Sequence, residues 1–316
     1  MSDAVWRLGY QLAGLDPTCQ RSGRTIFIRS LGGLGNQIFV YAFAKWLEGE
    51  LDARTVLFDP GSDQIAGPKT RAAQLQRLFD DISLVRRLPA NLINIISLSR
   101  KYQASLGRYV LPHFRPSSME ECKAAAARLR SPFAPRWPVF TAYFQHRALV
   151  QAGLGELRKS SSAALQRREL SLQQHGRLGA FDFERDCIVH VRRGDCRSIP
   201  GFDLLRASYY RHAETVLRRQ GLGGGVFFVS DDPAEAALML DSSGVSATLL
   251  PLEDPLDALA VIAHARRKII ANSTLSLWGA LLGRTDADVI FPVTWPRGGE
   301  ENPVLCREQG WTACPG

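Results

Sequence analysis

The sequence predicts an α/β protein with a parallel sheet in its C-terminal half and an α/β opening in its N-terminal half. Three observations predict it. The chain has 316 residues, more than one hydrophobic core comfortably serves. Residues 25 to 59 open as strand, glycine loop, helix, strand. From 186 onward short β-branched runs alternate with helical patterns as far as 292, the signature of repeated β-α-β units.

Taken in order, Thr25 to Ile28 is an apolar, β-branched run, and Gly32, Gly33 and Gly35 follow it within a few positions. Ile38, Val40, Tyr41, Ala44, Leu47 and Leu51 then recur near the helical period, and 54 to 59 reads as a second strand. Between 60 and 135 the pattern supports helices at 73 to 87 and 117 to 130, with proline-rich joints at Pro112–Pro116 and Pro132–Pro138. Residues 138 to 145 read as an extended segment, and 147 to 178 as a polar helix ending near Gly176 and Gly179. The domain boundary is set there, giving 1–178 and 179–316. In the second domain strands are expected at 187–191, 226–230, 247–251, 268–272 and 288–292, with helices at 207–220, 233–241, 255–265 and 274–283. A doubly wound sheet of this kind places its ligand outside the carboxyl ends of its strands.

Composition sets outer limits on function. The chain is 45% hydrophobic and 22% charged, without repeats or low-complexity tracts, which is ordinary for a globular protein able to bury a core. Its net charge of +8, with arginine far outnumbering lysine, favours anionic partners without choosing among nucleotides, acidic lipids and nucleic acid. No aromatic-basic platform or groove-reading helix is evident, so nucleic acid is disfavoured. The six cysteines show no C-x-x-C and no zinc spacing, so a reduced compartment is expected, although Cys306 and Cys314 could pair. No signal-type segment or stretch of about 18 apolar residues stands out. The expectation is a cytoplasmic protein, with peripheral contact at the inner face of a membrane left open through its basic surface.

The residues after each strand carry the chemistry. "HVRRGD", His190 to Asp195, sends two adjacent arginines out of the first strand of the second domain, with Gly194 and a carboxylate beside them. A guanidinium fork binds a diphosphate bidentately and stays charged at every working pH; the alternative is a surface salt bridge. "SDDP", Ser230 to Pro233, stands where a nucleotide's base or ribose would lie, and also has the form of an ordinary N-cap. Asn272, Ser273 and Thr274 stand at a helix start, where backbone N–H groups and hydroxyls together make a phosphate seat. Three anion-favouring features at three strand ends argue for a nucleotide diphosphate. Asp286-Ala287-Asp288 spells an Asp-x-Asp pair of the kind that holds a metal, but it precedes a strand rather than following one, so a surface turn is expected and no metal site is assigned.

Five blocks, "GGLGNQIFVYAFA" (32–44), "AYFQ" (142–145), "HVRRGD" (190–195), "FFVSDD" (227–232) and "IIANSTLSLWGALL" (269–282), resemble in order and spacing the α-1,2-fucosyltransferases of glycosyltransferase family 11, over roughly 25 to 295. The resemblance implies a GT-B-like fold of two Rossmann-like domains: an acceptor-side domain at 1–178 and a GDP-fucose-binding domain at 179–316. It also implies inversion at the anomeric carbon, GDP-fucose as donor, no cofactor or metal, and a galactose-terminated oligosaccharide or glycolipid as acceptor, fucosylated at the 2-hydroxyl. Arg192 would contact the diphosphate, with His190, Arg193 and Asp195 shaping that site. Ser230, Asp231, Asn272, Ser273 and Thr274 would serve guanosine and phosphate. The chain departs from the family at Cys196, where tyrosine is frequent, at Val40, where glutamine is usual, and in reading "NSTLSLWG" for "NSTFSWWG". These changes spare the polar residues and bear on acceptor preference more than on the donor.

The "GGLGNQ" loop lacks the Lys-Ser or Lys-Thr that would grip terminal phosphates and magnesium, so it is not an NTP-hydrolysing loop. Its spacing also fails the dinucleotide fingerprint, which disfavours a dehydrogenase. The glycines Gly32, Gly33 and Gly35 would allow close backbone approach, while Asn36 and Gln37 offer neutral hydrogen-bonding groups to sugar or diphosphate; the alternative is that Asn36 caps the helix. Arg192 is the leading candidate for stabilising the departing GDP. Asp195 is one candidate for the base that takes the acceptor proton, and Asn36 could orient the nucleophile but not titrate. The competing readings are another nucleotide-sugar-dependent glycosyltransferase and a non-catalytic nucleotide-sugar-binding protein.

Overall fold

The computed structural model describes residues 25–58, 72–82, 84–85, 113–131, 138–194, 204–296 and 299–315. By internal contacts the chain forms two compact units, one of Met1–Phe144 with Ala148–Gly153, the other of Gln145–Arg147 with Leu154–Gly316.

The first unit contains β1 (Thr25–Arg29), α1 (Leu34–Leu51), β2 (Arg54–Phe58), α2 (Ala72–Leu75), β3 (Leu84–Val85), β4 (His113–Phe114), α3 (Met119–Leu129) and β5 (Val139–Phe140). Its strands pair in the order β3-β2-β1-β5-β4, every pair parallel. Because β2 lies on one side of β1 and β5 on the other, the direction of winding reverses between β1 and β5. Helix α1 buries more than the amphipathic stripe read from the sequence, since Phe39 and Phe43 are also inaccessible. Its end is marked by Asp52 in the left-handed region, φ 43°. Ser118 caps α3 by accepting from the Glu121 N–H at 3.2 Å, and Glu121 reaches back to the Ser117 N–H at 2.6 Å, a reciprocal arrangement that fixes the helix start.

Helix α4 (Arg147–Gln174) follows. The sequence set a boundary at 178, whereas from Leu154 onward α4 belongs to the second unit. It buries Leu157, Ser161, Ala164, Leu165 and Leu172, a stripe of helical spacing that its polar composition masks.

The second unit continues with β6 (Cys187–Val191), α5 (Ala207–Arg219), β7 (Val226–Ser230), α6 (Pro233–Ser243), β8 (Thr248–Leu249), α7 (Pro255–His264), β9 (Arg267–Ile269), α8 (Thr274–Leu282), β10 (Asp288–Pro292), α9 (Asn302–Glu308) and β11 (Thr312–Cys314). Its sheet runs β11-β10-β9-β6-β7-β8, again all parallel, which is the doubly wound Rossmann order with its reversal between β6 and β9. Along β6 the period of two sends Cys187, Val189 and Val191 into the core under α5 and α6, while Ile188 joins the core under α4 and α7. Both faces are covered, so the strand is apolar throughout apart from His190.

Helix α8 packs closely on α7, where a Cβ on Gly279 would meet Ile262 Cγ2 at 2.7 Å. Some expectations change. The helix expected at 73–87 gives way, among the described residues, to the short α2 and the strand β3. Cys306 and Cys314 do not pair; both are buried free thiols.

Candidate functional site

The β6–β9 pairing matches Val189 with Ile269, so Arg192 and Asn272, each three residues further on, leave the sheet side by side at its point of reversal. The β6–β7 pairing matches Val191 with Ser230, which brings Asp231 level with Arg192. The side chains use that register. Arg192 Nη1 lies 2.5 Å from Asp231 Oδ2, both side chains about one quarter exposed at 28% and 25%. The other carboxylate oxygen accepts the Arg193 backbone N–H at 2.9 Å. Gly194 closes over this carboxylate so tightly that a Cβ there would lie 2.5 Å from Asp231 Oδ2. Burial works to raise the Asp231 carboxyl, but the Arg192 charge and the backbone N–H groups of Arg193 and Gly194 outweigh it and hold it below the usual carboxylate range.

The two arginines, indistinguishable in sequence, separate. Arg193 turns inward, donating from Nη2 to the Leu205 carbonyl at 2.8 Å and touching Met239 Sδ. Arg192 stays at the crevice, fixed on one side by Asp231. Beneath it His190 is 3% exposed and its Nδ1 has no hydrogen-bond partner. Burial first, and the nearby Arg192 charge second, push this imidazole down to about 4 against the opposing pull of Asp231, so it is neutral at neutral pH.

The capping alternative for "SDDP" holds for one of its carboxylates. Asp232 accepts the Glu235 N–H at 3.2 Å as the N-cap of α6. Ser230 Oγ is spent in a local turn, accepting from the Asp232 N–H at 3.0 Å and donating to the Asp232 carbonyl at 3.1 Å. That leaves Asp231 to the arginine. At the end of β9, Asn272 is buried at 3% exposure, and Ser273 occupies the N-cap of α8 in extended conformation without a cap bond from its side chain. Thr274 is the first helical residue. The helix therefore begins with its dipole's positive end at the carboxyl edge of the sheet, and Ser273 and Thr274 are half-buried beside it.

In the first unit the glycine loop sits at the carboxyl end of β1. Gly32 adopts φ +69°, and a Cβ on it would lie 2.5 Å from Asn36 Nδ2, so glycine is required there both for conformation and for space. The N-cap of α1 is Gly33, without a side-chain cap bond, so Asn36 lies inside the first turn and is not the cap. Nothing lies within 4 Å of where a Gly33 Cβ would stand. Gly35 is buried in the first turn. Gln37 is 1% exposed; its Nε2 donates to the Gly32 carbonyl at 3.1 Å and its Oε1 is buried without a protein partner.

Asp195 and Cys196 lie outside the described residues. Asp286 and Asp288 stand at the amino end of β10, with Asp286 gripped through both oxygens by Arg284 at 2.9 and 2.8 Å, which is the surface turn expected of them. Among the described residues no cluster of three or more His, Cys, Asp or Glu side chains could hold a metal ion, and no helix is long and apolar enough to cross a membrane. Sequence reading missed the part Gly194 plays as a cradle for Asp231; its position between arginine and aspartate in "HVRRGD" was the available signal. It missed Lys268 too, a wholly buried lysine on β9, for which a lone lysine in an apolar strand gave no indication of its fate.

No protein-family model matches the chain, and no curated protein matches it in sequence. Solved structures do match it. POFUT1 in complex with GDP-fucose is 15% identical, with 87% of this chain and 99% of that chain covered at a TM-score of 0.50. The NodZ α-1,6-fucosyltransferase of Bradyrhizobium, soaked with GDP-fucose, is 13% identical over 83% and 93% of the two chains, with a TM-score of 0.48. The ADP-heptose LPS heptosyltransferase II of E. coli is 14% identical over 85% and 84%, with a TM-score of 0.42. At such identities the likeness is one of fold, and together with the two parallel sheets it makes this a GT-B-type, Rossmann-like architecture.

Proposed function

We propose that this protein is an inverting galactoside α-1,2-fucosyltransferase of glycosyltransferase family 11, moving L-fucose from GDP-fucose to the 2-hydroxyl of a terminal galactose without a metal ion. The observation that carries the donor half of this reading is the meeting of Arg192, held by Asp231, with the start of α8 at the reversal between β6 and β9. The ordered motifs support the fucosyl and galactose half.

The chemistry follows from charge. As the glycosidic bond breaks, fucose takes on oxocarbenium character and negative charge grows on the departing diphosphate. A guanidinium and helix N-terminal N–H groups attract that charge more strongly in the transition state than in the substrate, which is the condition for acceleration. Arg192 serves this role because its carboxylate partner fixes it in place before the donor arrives, so little reorganisation accompanies bond breaking. Neutral His190 beneath it adds no second positive charge. Asn272, Ser273 and Thr274 receive the phosphates, and Ser230 and Asp231 border the nucleoside side. In the first domain Asn36 orients the acceptor hydroxyl, while buried Gln37 donates to the Gly32 carbonyl and holds the loop in shape; the base is left unassigned, with Asp195 as its candidate.

The test is to incubate the protein with a panel of nucleotide sugars and galactose-terminated oligosaccharides in chelator, follow nucleotide release, and map the product linkage. GDP release with GDP-fucose and a new bond at the 2-hydroxyl is expected. Turnover only with another nucleotide sugar would replace the donor assignment, and binding of GDP-fucose without turnover on any acceptor would replace the enzyme.

A further inference from the structure

We propose that Tyr143 is the aromatic platform on which the acceptor sugar stacks, an inference that rests on the glycosyltransferase reading above and adds a recognition residue to it. Three observations meet at this residue. Its side chain belongs to the most exposed aromatic residue described, at 51% exposure, while its neighbour Phe144 is 2% exposed. It follows the carboxyl end of β5, which lies beside β1 at the reversal point of the first sheet, so it leaves the same end of the same sheet as the Gly32–Gln37 loop. And Phe144 is held in the left-handed region at φ +53°, a conformation that bulky side chains avoid.

The strain has a visible anchor. The Phe144 ring lies flat on Phe43, centroids 3.8 Å apart and planes 5° from parallel, and Phe43 is packed in turn by Phe140 at 5.2 Å. Phe43 belongs to α1, the helix that the glycine loop opens. Phe144 is buried in this stack while Tyr143, one residue before it, stays exposed. A lone exposed tyrosine is common and by itself signifies nothing. An exposed tyrosine beside an energetically unfavourable backbone conformation, at the ligand end of a parallel sheet, is a different matter, because such conformations persist where the geometry they impose is used.

The ligand chemistry follows from the ring. Galactopyranose carries its axial hydroxyl on one face, which leaves the opposite face lined with C–H groups; that face packs on an aromatic ring while the hydroxyls stay free for polar groups such as the amide of Asn36. Tyrosine suits the task better than an aliphatic residue because it is rigid, flat and tolerates water when the site is empty.

The experiment compares the wild type with Tyr143→Ala and Tyr143→Phe as full chains. With GDP-fucose and a galactose-terminated oligosaccharide, Tyr143→Ala should raise the acceptor KM by about tenfold, the order of one lost aromatic contact. Its donor KM and kcat should stay within about twofold, and Tyr143→Phe should behave as wild type. In parallel, saturation-transfer NMR with methyl galactoside and GDP-loaded protein should show C–H contacts that Tyr143→Ala loses. Unfolding curves that coincide would certify the fold of the variant, as expected for a side chain this exposed. An unchanged acceptor KM in Tyr143→Ala, with the wild type turning over normally, overturns the platform and leaves the transferase reading intact. A wild type with neither turnover on galactosides nor a methyl galactoside signal overturns both.

Discussion

Replacing Asp231 with asparagine keeps the side chain's size and removes the counter-charge of Arg192. In the wild type one carboxylate oxygen faces Arg192 Nη1 at 2.5 Å and the other accepts the Arg193 N–H at 2.9 Å. An amide can keep the second bond only by turning its NH2 towards the guanidinium, donor against donor. A hydrogen bond to a charged group is worth roughly 1.5–3 kcal/mol, and with both side chains about a quarter exposed the lower half of that range applies. A loss of about 1.5–2 kcal/mol in Arg192 placement corresponds to roughly a 10- to 30-fold drop in kcat/KM for GDP-fucose and a weaker affinity for GDP. Simple electrostatics argues the other way: deleting a negative charge beside a diphosphate should tighten binding. The two effects have opposite signs, so calorimetric titration with GDP decides between them. Gly194→Ala supplies a check that leaves the charge alone, since its Cβ would press to 2.5 Å on Asp231 Oδ2. Both variants should weaken GDP binding. If Asp231→Asn binds GDP as tightly as wild type or more tightly, Asp231 does not position Arg192.

Two predictions concern stability and pH. His190 titrates at about 4 in the folded chain against 6.5 ordinarily, so between those values the unfolded chain binds the additional proton and stability falls as pH is lowered through this window. Denaturant melts from pH 7 to 4 should show that fall, and His190→Gln should shrink it; an identical slope in the variant would exclude His190 as its source. Lys268, fully buried with Nζ donating to the Ala263 carbonyl at 3.1 Å, is pushed down to about 7 from 10.5, by burial first and by Arg284 second. Here too the unfolded chain holds the extra proton, so stability attributable to this residue rises with pH from about 7 towards 10.5. Lys268→Met should therefore be more stable than wild type at pH 7, with the Ala263 carbonyl still receiving the Arg284 N–H at 3.2 Å, and its advantage should narrow by pH 9.5. A variant less stable than wild type at pH 7 would show that the lysine's bond outweighs the cost of its burial.

Where the sequence was legible, a local signal was enough. The strands at 187–191, 226–230 and 288–292 have the observed bounds because each is a short apolar run closed by polar or turn-forming residues, and a central parallel strand must be apolar on both faces. Edges and turns were less legible. The segment 247–251 forms only the two-residue β8, whose Thr248 and Leu249 are exposed at the sheet's edge, and 138–145 gives only β5 before the chain turns at Phe144. Helix α9 and strand β11 went unread, being too short for periodicity to register. At the site, strand-end logic brought "HVRRGD", "SDD" and "NST" to one edge, but it could not say which arginine faces the crevice or which aspartate caps the helix. The first depends on the pairing of Val191 with Ser230, a long-range register that no local pattern encodes; the second is local, since Asp232 directly precedes the proline that starts α6.

The proposed transfer depends above all on Arg192 as the cation that meets a nucleotide diphosphate at the β6–β9 reversal. Calorimetric titration of GDP in the presence of chelator, into wild type and Arg192→Ala, addresses it most directly. We expect wild type to bind GDP under these conditions and the variant, folded as judged by its melting curve, to lose about 100-fold in affinity, the scale of two charge-assisted hydrogen bonds from one guanidinium. Equal affinities for the two proteins would contradict the account.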